Sequence, residues 1–281
     1  MCARLPLTPV PARVFLRSVR PGYHAAVRRL IIADAHLGQE RGDVEAMQGL
    51  LEGAAAAGVG EVVYLGDAFQ YLLGMAKFWT RTTRRILEIW DGLRAAGVRI
   101  VLVEGNRDFF LDEPELAAHH DGSAVRLDLE AGGRRFRLVH GDRVNQRDLQ
   151  YRFWRAIAKS WPARAWARTL PRAVAVRIVR GMEARLATTN RRFRYKKPVS
   201  ALMAEAVAAW SEGVDVLLWG HFHSPWRCDR GGRTALVVPA WLEYRLSVLV
   251  EPDGAWRLVE NSLTPPAELP KMERCPAVKD S

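Results

Sequence analysis

Five apolar runs in this chain each stop on residue types that bind metal ions. Residues 30–36 read Leu-Ile-Ile-Ala-Asp-Ala-His, an apolar strand that ends in Asp34 and His36. Residues 62–67 end in Gly66 and Asp67, and residues 100–108 end in Gly105, Asn106, Arg107 and Asp108. Residues 136–142 end in His140, Gly141 and Asp142. Residues 216–223 end in Gly220, His221, Phe222 and His223. In open α/β sheets, ligands bind at strand ends. One Asp-x-His pair alone reads most simply as a turn carboxylate beside a surface imidazole. Five such endings together exclude coincidence and predict a metal shell of Asp34, His36, Asp67, Asn106, His140, His221 and His223. Asp34 and His36 are two apart, so extended backbone would project both to one side. A glycine beside most of these residues lets the backbone turn sharply and approach closely.

A shell of N and O ligands without thiolate suits hard or borderline divalent ions such as Mn²⁺ in roughly octahedral geometry. One carboxylate can bridge two ions, and Asp67 is the candidate. Two ions about 3.5–4 Å apart activate water and clamp both oxygens of an in-line displacement. Phosphoester or phosphoanhydride hydrolysis is the natural chemistry. Asp108 and Asp142 each follow a ligand stretch. Either they orient neighbouring groups or they hydrogen-bond the turn backbone, and for Asp108 we expect the first.

The chain has 281 residues and is 49 % hydrophobic, enough for one large domain with a full core. No apolar run approaches the roughly 18–20 residues of a membrane span. Residues 1–20 carry Pro6, Pro9, Pro11 and scattered Arg rather than a continuous apolar segment, so no signal peptide is expected. Cys2, Cys228 and Cys275 are odd in number and far apart, which speaks against a disulfide framework and for a reducing cytosol.

The net charge of +11 is unevenly placed. Between Arg143 and Ser200 stand 16 Lys or Arg against only Asp148 and Glu183, a net +14, so the rest of the chain sums to −3. Such a block seeks phosphate, whether of nucleic acid, a membrane surface or an acidic substrate. Within it, residues 147–197 contain no strand-like run. Leu149, Phe153, Ile157 and Trp161 recur every four residues, as do Val174, Ile178, Met182 and Leu186, with Trp154 and Trp166 beside them. Two readings follow: a helical lid whose stripe packs on the core, or an Arg-rich amphipathic cap that meets a membrane or acyl chains.

Elsewhere, residues 43–57 and 78–96 read as helices, the first with Asp43 as N-cap. Residues 123–129 and 134–140 alternate around Gly132 and Gly133, a hairpin signal. Residues 199–210 read as a helix, and 234–239, 246–250 and 255–259 as final strands. The layout is an extension over 1–27, a domain over 28–263 with its helical insert at 147–197, and a tail over 264–281. Strands alternating with helices first, then hairpins, predict two stacked sheets with helices outside, an α/β (α+β) fold.

The ordered set Asp-x-His, Gly-Asp, Gly-Asn-x-Asp, His-Gly-Asp, Gly-His-x-His resembles the calcineurin-like metallophosphoesterase superfamily. That resemblance implies its four-layer α/β/β/α sandwich and two divalent ions. One ion would take Asp34, His36, Asp67 and His223; the other would take Asp67, Asn106, His140 and His221. Most superfamily members carry His between the Asn and Asp, as an acid for an alkoxide leaving group. Here Arg107 stands there. Arg cannot donate a proton near neutral pH but binds phosphate through two N–H groups. A leaving phosphate monoester, with second pKa near ~6, needs no proton, so Arg107 points to a phosphoanhydride.

The run Gly-Asn-Arg-Asp-Phe over 105–109 further resembles the UDP-2,3-diacylglucosamine pyrophosphatases of lipid A biosynthesis. In that family His-Gly-Asp is followed by an Asp and a Tyr that open an Arg-rich cap, as Asp148 and Tyr151 do here. By that likeness Arg107, Asp148, Tyr151 and Arg155 would contact substrate, and Asn106, Arg107, Asp108 and His140 would serve catalysis. The implied substrate is a UDP-linked acylated sugar, cut to UMP and the acylated sugar 1-phosphate. The implied place is the cytoplasmic face of the inner membrane, held peripherally. The sequence departs from the family over residues 66–71, Gly-Asp-Ala-Phe-Gln-Tyr, where Gly-Asp-x-Phe-Glu-x-Trp followed by acidic residues is usual, and at Ser224, where Arg is common. The competing expectation is a nucleotide phosphodiesterase or nuclease, which would favour His at 107 and a polar insert rather than this apolar-striped one.

Overall fold

The computed structural model describes residues 27–145, 148–189 and 197–275. The expected extension therefore lies, except for Val27, outside the described residues. The chain runs β1 (Arg28–Ile32), α1 (Asp43–Ala56), β2 (Val59–Leu65), β3 (Leu72–Leu73), α2 (Arg81–Ala95), β4 (Arg99–Val103), β5 (Asp108–Phe109) and α3 (Pro114–Ala117). It continues through β6 (Gly122–Ala124), β7 (Arg126–Ala131), β8 (Arg134–Val139), α4 (Leu149–Ala158), α5 (Trp161–Thr169), α6 (Arg172–Thr189) and α7 (Val199–Ser211). It ends with β9 (Val216–Trp219), β10 (Trp226–Arg230), β11 (Arg233–Val237), α8 (Trp241–Tyr244), β12 (Ser247–Val250), β13 (Trp256–Val259) and β14 (Glu273–Arg274).

Two six-stranded sheets result. The first has the order β13-β12-β1-β2-β4-β6, and the second β14-β10-β11-β9-β8-β7. Alternation along each strand explains the layering. Leu30 and Ile32 of β1 join Met47, Leu50, Ile86 and Trp90 of the outer helices α1 and α2. Ile31, between them, faces Leu138, Leu218 and Leu236 of the second sheet. On the second sheet, Leu217 and Trp219 meet Leu202, Ala206 and Trp210 of α7. Strands covered on both faces need apolar side chains at every position, which is why they read as continuous runs. The architecture is the expected α/β/β/α sandwich, with the ends of β1, β2, β4, β8 and β9 meeting at one rim.

Several local expectations need correction. The alternating run 123–129 is two strands in different sheets: β6 pairs parallel with β4, and β7 forms the hairpin with β8. Gly42, in the left-handed region, rather than Asp43, precedes α1. Asp43 is its first residue, and its Oδ2 accepts from the backbone N–H groups of Gly38 and Glu40. The helix expected from Phe78 begins at Arg81, because Thr80 caps it by accepting from Thr83 N.

The expectation of unpaired cysteines is overturned. Cys228 and Cys275 form a disulfide, with Cα atoms 5.0 Å apart. The cause is β14, which pairs parallel with the edge strand β10. Cys275 N–H also donates to Arg227 O at 3.2 Å. Strand pairing carries the second cysteine to the first across 47 residues of sequence.

The insert is helical, as expected, but its stripe does not pack on the core. Leu149, Phe153, Ile157 and Trp161 are 69, 70, 54 and 77 % exposed. The packed face of α6 is Ala175 and Val179, against Tyr71, Met75, Phe78, Phe109 and Phe110. Val174 points outward and Ile178 is half-buried. The side chains of Met182 and Leu186 lie outside the described residues.

Candidate metal centre

The seven predicted ligands converge at the rim where the two sheets meet. Asp34, His36, Asp67, His140 and His223 are all buried. The backbone that places them is unusual. Asp34, His36, Asp67, His221 and His223 all have φ between 44° and 68°, a region uncommon for non-glycine residues and found where surrounding structure over-determines the conformation. Extended alternation is therefore not what aims Asp34 and His36 together. Each leaves the line of its strand through a left-handed step. Glycines clear the space: a Cβ on Gly66 would collide with the His140 ring, one on Gly105 with Asp67 Oδ1, and one on Gly220 with Asp34 Oδ2.

The ligand atoms fall into two groups. His36 Nε2 and His223 Nε2 are 3.2 Å apart, and Asp34 Oδ1 lies 3.8 and 3.7 Å from them. Asn106 Oδ1 sits 3.0 Å from both His140 Nε2 and His221 Nδ1. Asp67 stands between the groups, Oδ1 3.6 Å from His140 Nε2 and Oδ2 4.0 Å from His36 Nε2. One oxygen toward each group is the disposition of a bridging carboxylate.

Electrostatics favour a cation. Burial pushes the Asp34 carboxyl above its ordinary pKa, Asp67 adds to the rise, and His223 and His140 pull it back. His221 is held down to about 4 by burial and by the neighbouring His140. Burial also lowers His140, but Asp67, Asp34 and Asp142 together outweigh it and raise its pKa. Asp34 Oδ1 is buried without a hydrogen-bond partner, a costly condition for a carboxylate oxygen unless a cation meets it. Nitrogen and oxygen donors, an orphaned buried oxygen and a carboxylate between two groups fit a divalent metal.

Supporting contacts fix the ligands. His140 Nδ1 donates to Leu65 O at 3.0 Å, which leaves Nε2 to the site. Asp34 Oδ2 accepts from His221 N–H at 2.7 Å and ties the two sheets' strand ends together. Asp108 Oδ2 accepts from Asp67 N–H and Gly105 N–H at 3.0 and 2.8 Å. Both readings of Asp108 therefore hold, because bonding the loop backbone is how it positions Asp67. Burial and the Asp67 charge push its carboxyl up to about 7.

Arg107 is buried beside this shell. Its Nη1 donates to Gln70 Oε1 at 2.8 Å, and its Nε lies 3.5 Å from Asp67 Oδ2. Gln70 thus orients the guanidinium without neutralising it.

The cap residues gather at the same rim. Asp148 caps α4, accepting from Tyr151 N–H at 2.8 Å. Tyr151 OH donates to Asp142 Oδ2 at 2.5 Å. Arg155 Nη2 donates to Glu104 Oε1 at 2.7 Å, and its Nε lies 3.0 Å from Asp142 Oδ2. Lys159 Nζ adds Glu104 Oε1 and Gly105 O, at 2.7 and 2.6 Å. Asp142 is thereby part of the clasp between cap and shell. Burial works to raise its pKa, but His140, Arg155 and His221 hold it below the usual carboxylate range. Sequence reasoning missed Gln70, Glu104, Lys159 and Glu243, whose Oε1 lies 3.1 Å from His223 Nδ1. Gln70 was visible only as a departure from a motif and Glu104 only as the residue before one, and the contacts of all four depend on the fold.

Two stacked sheets with a cluster of Asp, Asn and His donors at their rim define a metal-dependent hydrolase. The chain is 32 % identical to a UDP-2,3-diacylglucosamine hydrolase of Ralstonia nicotianae over 197 residues, 64 % of this chain and 71 % of that protein. It is 30 % identical to one of Pseudomonas putida over 204 residues, covering 70 % and 82 %. It is 29 % identical to one of Bordetella pertussis over 247 residues, covering 82 % and 90 %. The chain belongs to the UDP-2,3-diacylglucosamine hydrolase family. No family model matches it. Among solved structures it is similar to an archaeal phosphodiesterase, with TM-score 0.44 and 12 % identity over 83 % of this chain and 98 % of the other. A predicted phosphoesterase of Streptococcus pneumoniae gives TM-score 0.40 and 16 % identity over 86 % and 94 %.

Proposed function

We propose that this chain hydrolyses the pyrophosphate of UDP-2,3-diacylglucosamine, giving UMP and 2,3-diacylglucosamine 1-phosphate. Two Mn²⁺ ions would occupy the shell, one held by Asp34, His36, Asp67 and His223, the other by Asp67, Asn106, His140 and His221. When bound, such ions supply a nucleophilic water and Lewis-acid stabilisation of the phosphoryl oxygens.

The observation that carries the reading is Arg107. Its guanidinium is buried beside Asp67 and oriented by Gln70, at the position where an alkoxide leaving group would need an acid. It binds the phosphoanhydride oxygens and stabilises charge as it builds at phosphorus. The departing phosphate monoester needs no proton. Asn106 and His140 belong to one of the two ligand groups, and Asp108 keeps Asp67 in place. Tyr151 and Arg155 stand on Asp142 at the mouth, where they meet the sugar-phosphate end of the substrate, and Asp148 sets the start of the helix that carries them.

The cap supports a lipid-linked substrate and peripheral attachment to the membrane. Among the described residues no helix is long and apolar enough to cross a membrane. Instead α4 and α5 expose Leu149, Phe153, Trp154, Ile157, Trp161 and Trp166 within the +14 segment. A nuclease would present a polar basic surface to a nucleic acid backbone; this surface is apolar. The test offers the purified protein with Mn²⁺ four substrates side by side: UDP-2,3-diacylglucosamine, UDP-glucose, bis-p-nitrophenyl phosphate and a DNA oligomer. Rapid release of UMP from the first alone is expected. Faster cleavage of the diester or DNA would replace the reading with the phosphodiesterase one.

A further inference from the structure

The motifs account for the metal ligands but leave Glu243 unassigned. It lies on α8, one short turn between β11 and β12, and this turn is docked on a ligand strand. Trp241 N–H donates to Ala33 O at 2.8 Å, and Leu242 N–H donates to Asp34 O at 3.3 Å. Beyond α8, Arg245 is paired with Glu40 at 3.2 Å. On this platform Glu243 Oε1 lies 3.1 Å from His223 Nδ1, while His223 Nε2 faces His36 Nε2 and Asp34 Oδ1. With the proton on Nδ1 donated to Glu243, the Nε2 lone pair is aimed into the shell and the ring is fixed. His140 achieves the same with a backbone carbonyl, Leu65 O. The two groups of ligands are thus supported differently, one by a neutral carbonyl and the other by a carboxylate.

We propose that Glu243 is a positioning residue for His223 that sets the affinity of one metal site, the one built from Asp34, His36, Asp67 and His223, and leaves the other unchanged. A carboxylate behind a ligating histidine fixes its tautomer and raises its basicity, and losing such a partner commonly costs about 10- to 100-fold in metal affinity. This proposal rests on the two-site reading above.

The test titrates the chelator-treated full chain with Mn²⁺, following bound ion by electron paramagnetic resonance. The Nδ1 proton of His223 is followed by NMR of ¹⁵N-histidine-labelled protein. Glu243→Ala should weaken one site about 10- to 100-fold, spare the other, and shift the His223 ring signals. Glu243→Gln keeps an acceptor oxygen and should recover part of the affinity. Arg245→Ala removes the Glu40 pair and the stack on Trp241 but keeps the Glu243–His223 contact, and should weaken Mn²⁺ binding far less than Glu243→Ala. Unchanged isotherms in both Glu243 variants, equal weakening of both sites, or a loss in Arg245→Ala as large as in Glu243→Ala would each overturn the proposal. The wild-type isotherm counts the sites by itself, so failure of the two-site reading is seen separately from failure of the Glu243 role.

Discussion

At the strand ends, Asp34, His36, Asp67, His140 and His223 are charged or polar and no more than 3 % exposed. On the cap, Leu149, Phe153, Ile157 and Trp161 are apolar and more than half exposed. A protein surface normally tolerates scattered apolar side chains, and a core normally excludes carboxylates. These two regions break the rule in opposite directions, and each calls for a complementary phase: a cation for the buried donors, an apolar environment for the exposed rings. α4 joins them. It is an amphipathic helix turned inside out, with Tyr151, Arg155 and Lys159 seated on Asp142, Glu104 and Gly105, and Leu149, Phe153 and Ile157 facing away. Its polar row takes hold of the loops that carry Asn106 and His140, so substrate-side and metal-side groups are held by one element.

The largest effect should come from the shell. Asp67→Ala removes the carboxylate that faces both ligand groups and should lower kcat by at least about 10³-fold. It should leave the circular dichroism spectrum unchanged, since both sheets are held by apolar cores to which the Asp67 side chain does not belong. Wild-type-like turnover would break the assignment of the buried region as a metal centre.

Next comes Arg107. Arg107→His removes a charged fork and should lower kcat/KM on the acylated UDP-sugar by roughly 10²- to 10³-fold. Arg107→Lys keeps the charge but not the planar geometry, and should fall between. On bis-p-nitrophenyl phosphate the series should stay nearly flat. A flat series on the pyrophosphate would leave the guanidinium without a part in the reaction.

The shell was legible in the sequence because each ligand ends an apolar run, and runs buried on both faces are visible without knowing the sheet order. The hairpin around Gly132 and Gly133 and the outer helices α1, α2 and α7 were legible through periodicity. What was not legible depends on contacts between distant segments. Nothing local reveals that Asp34, His36, Asp67, His221 and His223 adopt left-handed φ, because strain at these residues is sustained by the surrounding packing. Cys275 reaches Cys228 only once β14 joins the edge of the second sheet. Leu149, Phe153 and Ile157 showed helical spacing, but spacing says that a face is apolar and not which way it looks. On α4 the direction is decided by the half-buried Glu104 and the buried Asp142, whose carboxylates hold Arg155 and Lys159 inward.

That competition can be tested on the inner row. Arg155→Met keeps the stem but removes the arginine partner of both Glu104 and the buried Asp142. Breaking a buried ion pair from one side costs about 3–5 kcal/mol. The lower end is expected here, because Glu104 retains Lys159 as a partner. The cost should appear as faster proteolysis within the cap and a higher KM, with Mn²⁺ stoichiometry unchanged. Unaltered proteolysis and KM would mean that the clasp does not hold the cap.

The outer row should behave in the opposite way. Phe153→Ser and Trp161→Ser change rings that are 70 and 77 % exposed, so thermal stability should move little. Their effect should appear only against a lipid surface. Full burial of a large apolar side chain is worth about 1.5–3 kcal/mol. A ring entering the interface in part should contribute about 1.4 kcal/mol, a tenfold weaker vesicle affinity when it is lost. Basic residues near an anionic surface add roughly 1 kcal/mol each and are screened by salt. Sedimentation with anionic vesicles should therefore fall with rising ionic strength for the wild type, and fall further for either variant at every salt concentration. Neutral vesicles should bind weakly and lose their remaining affinity with the rings. If neutral and anionic vesicles bind alike and the variants match the wild type, the exposed row does not meet a membrane. The inversion of α4 would then serve only to bring its polar face onto the metal loops.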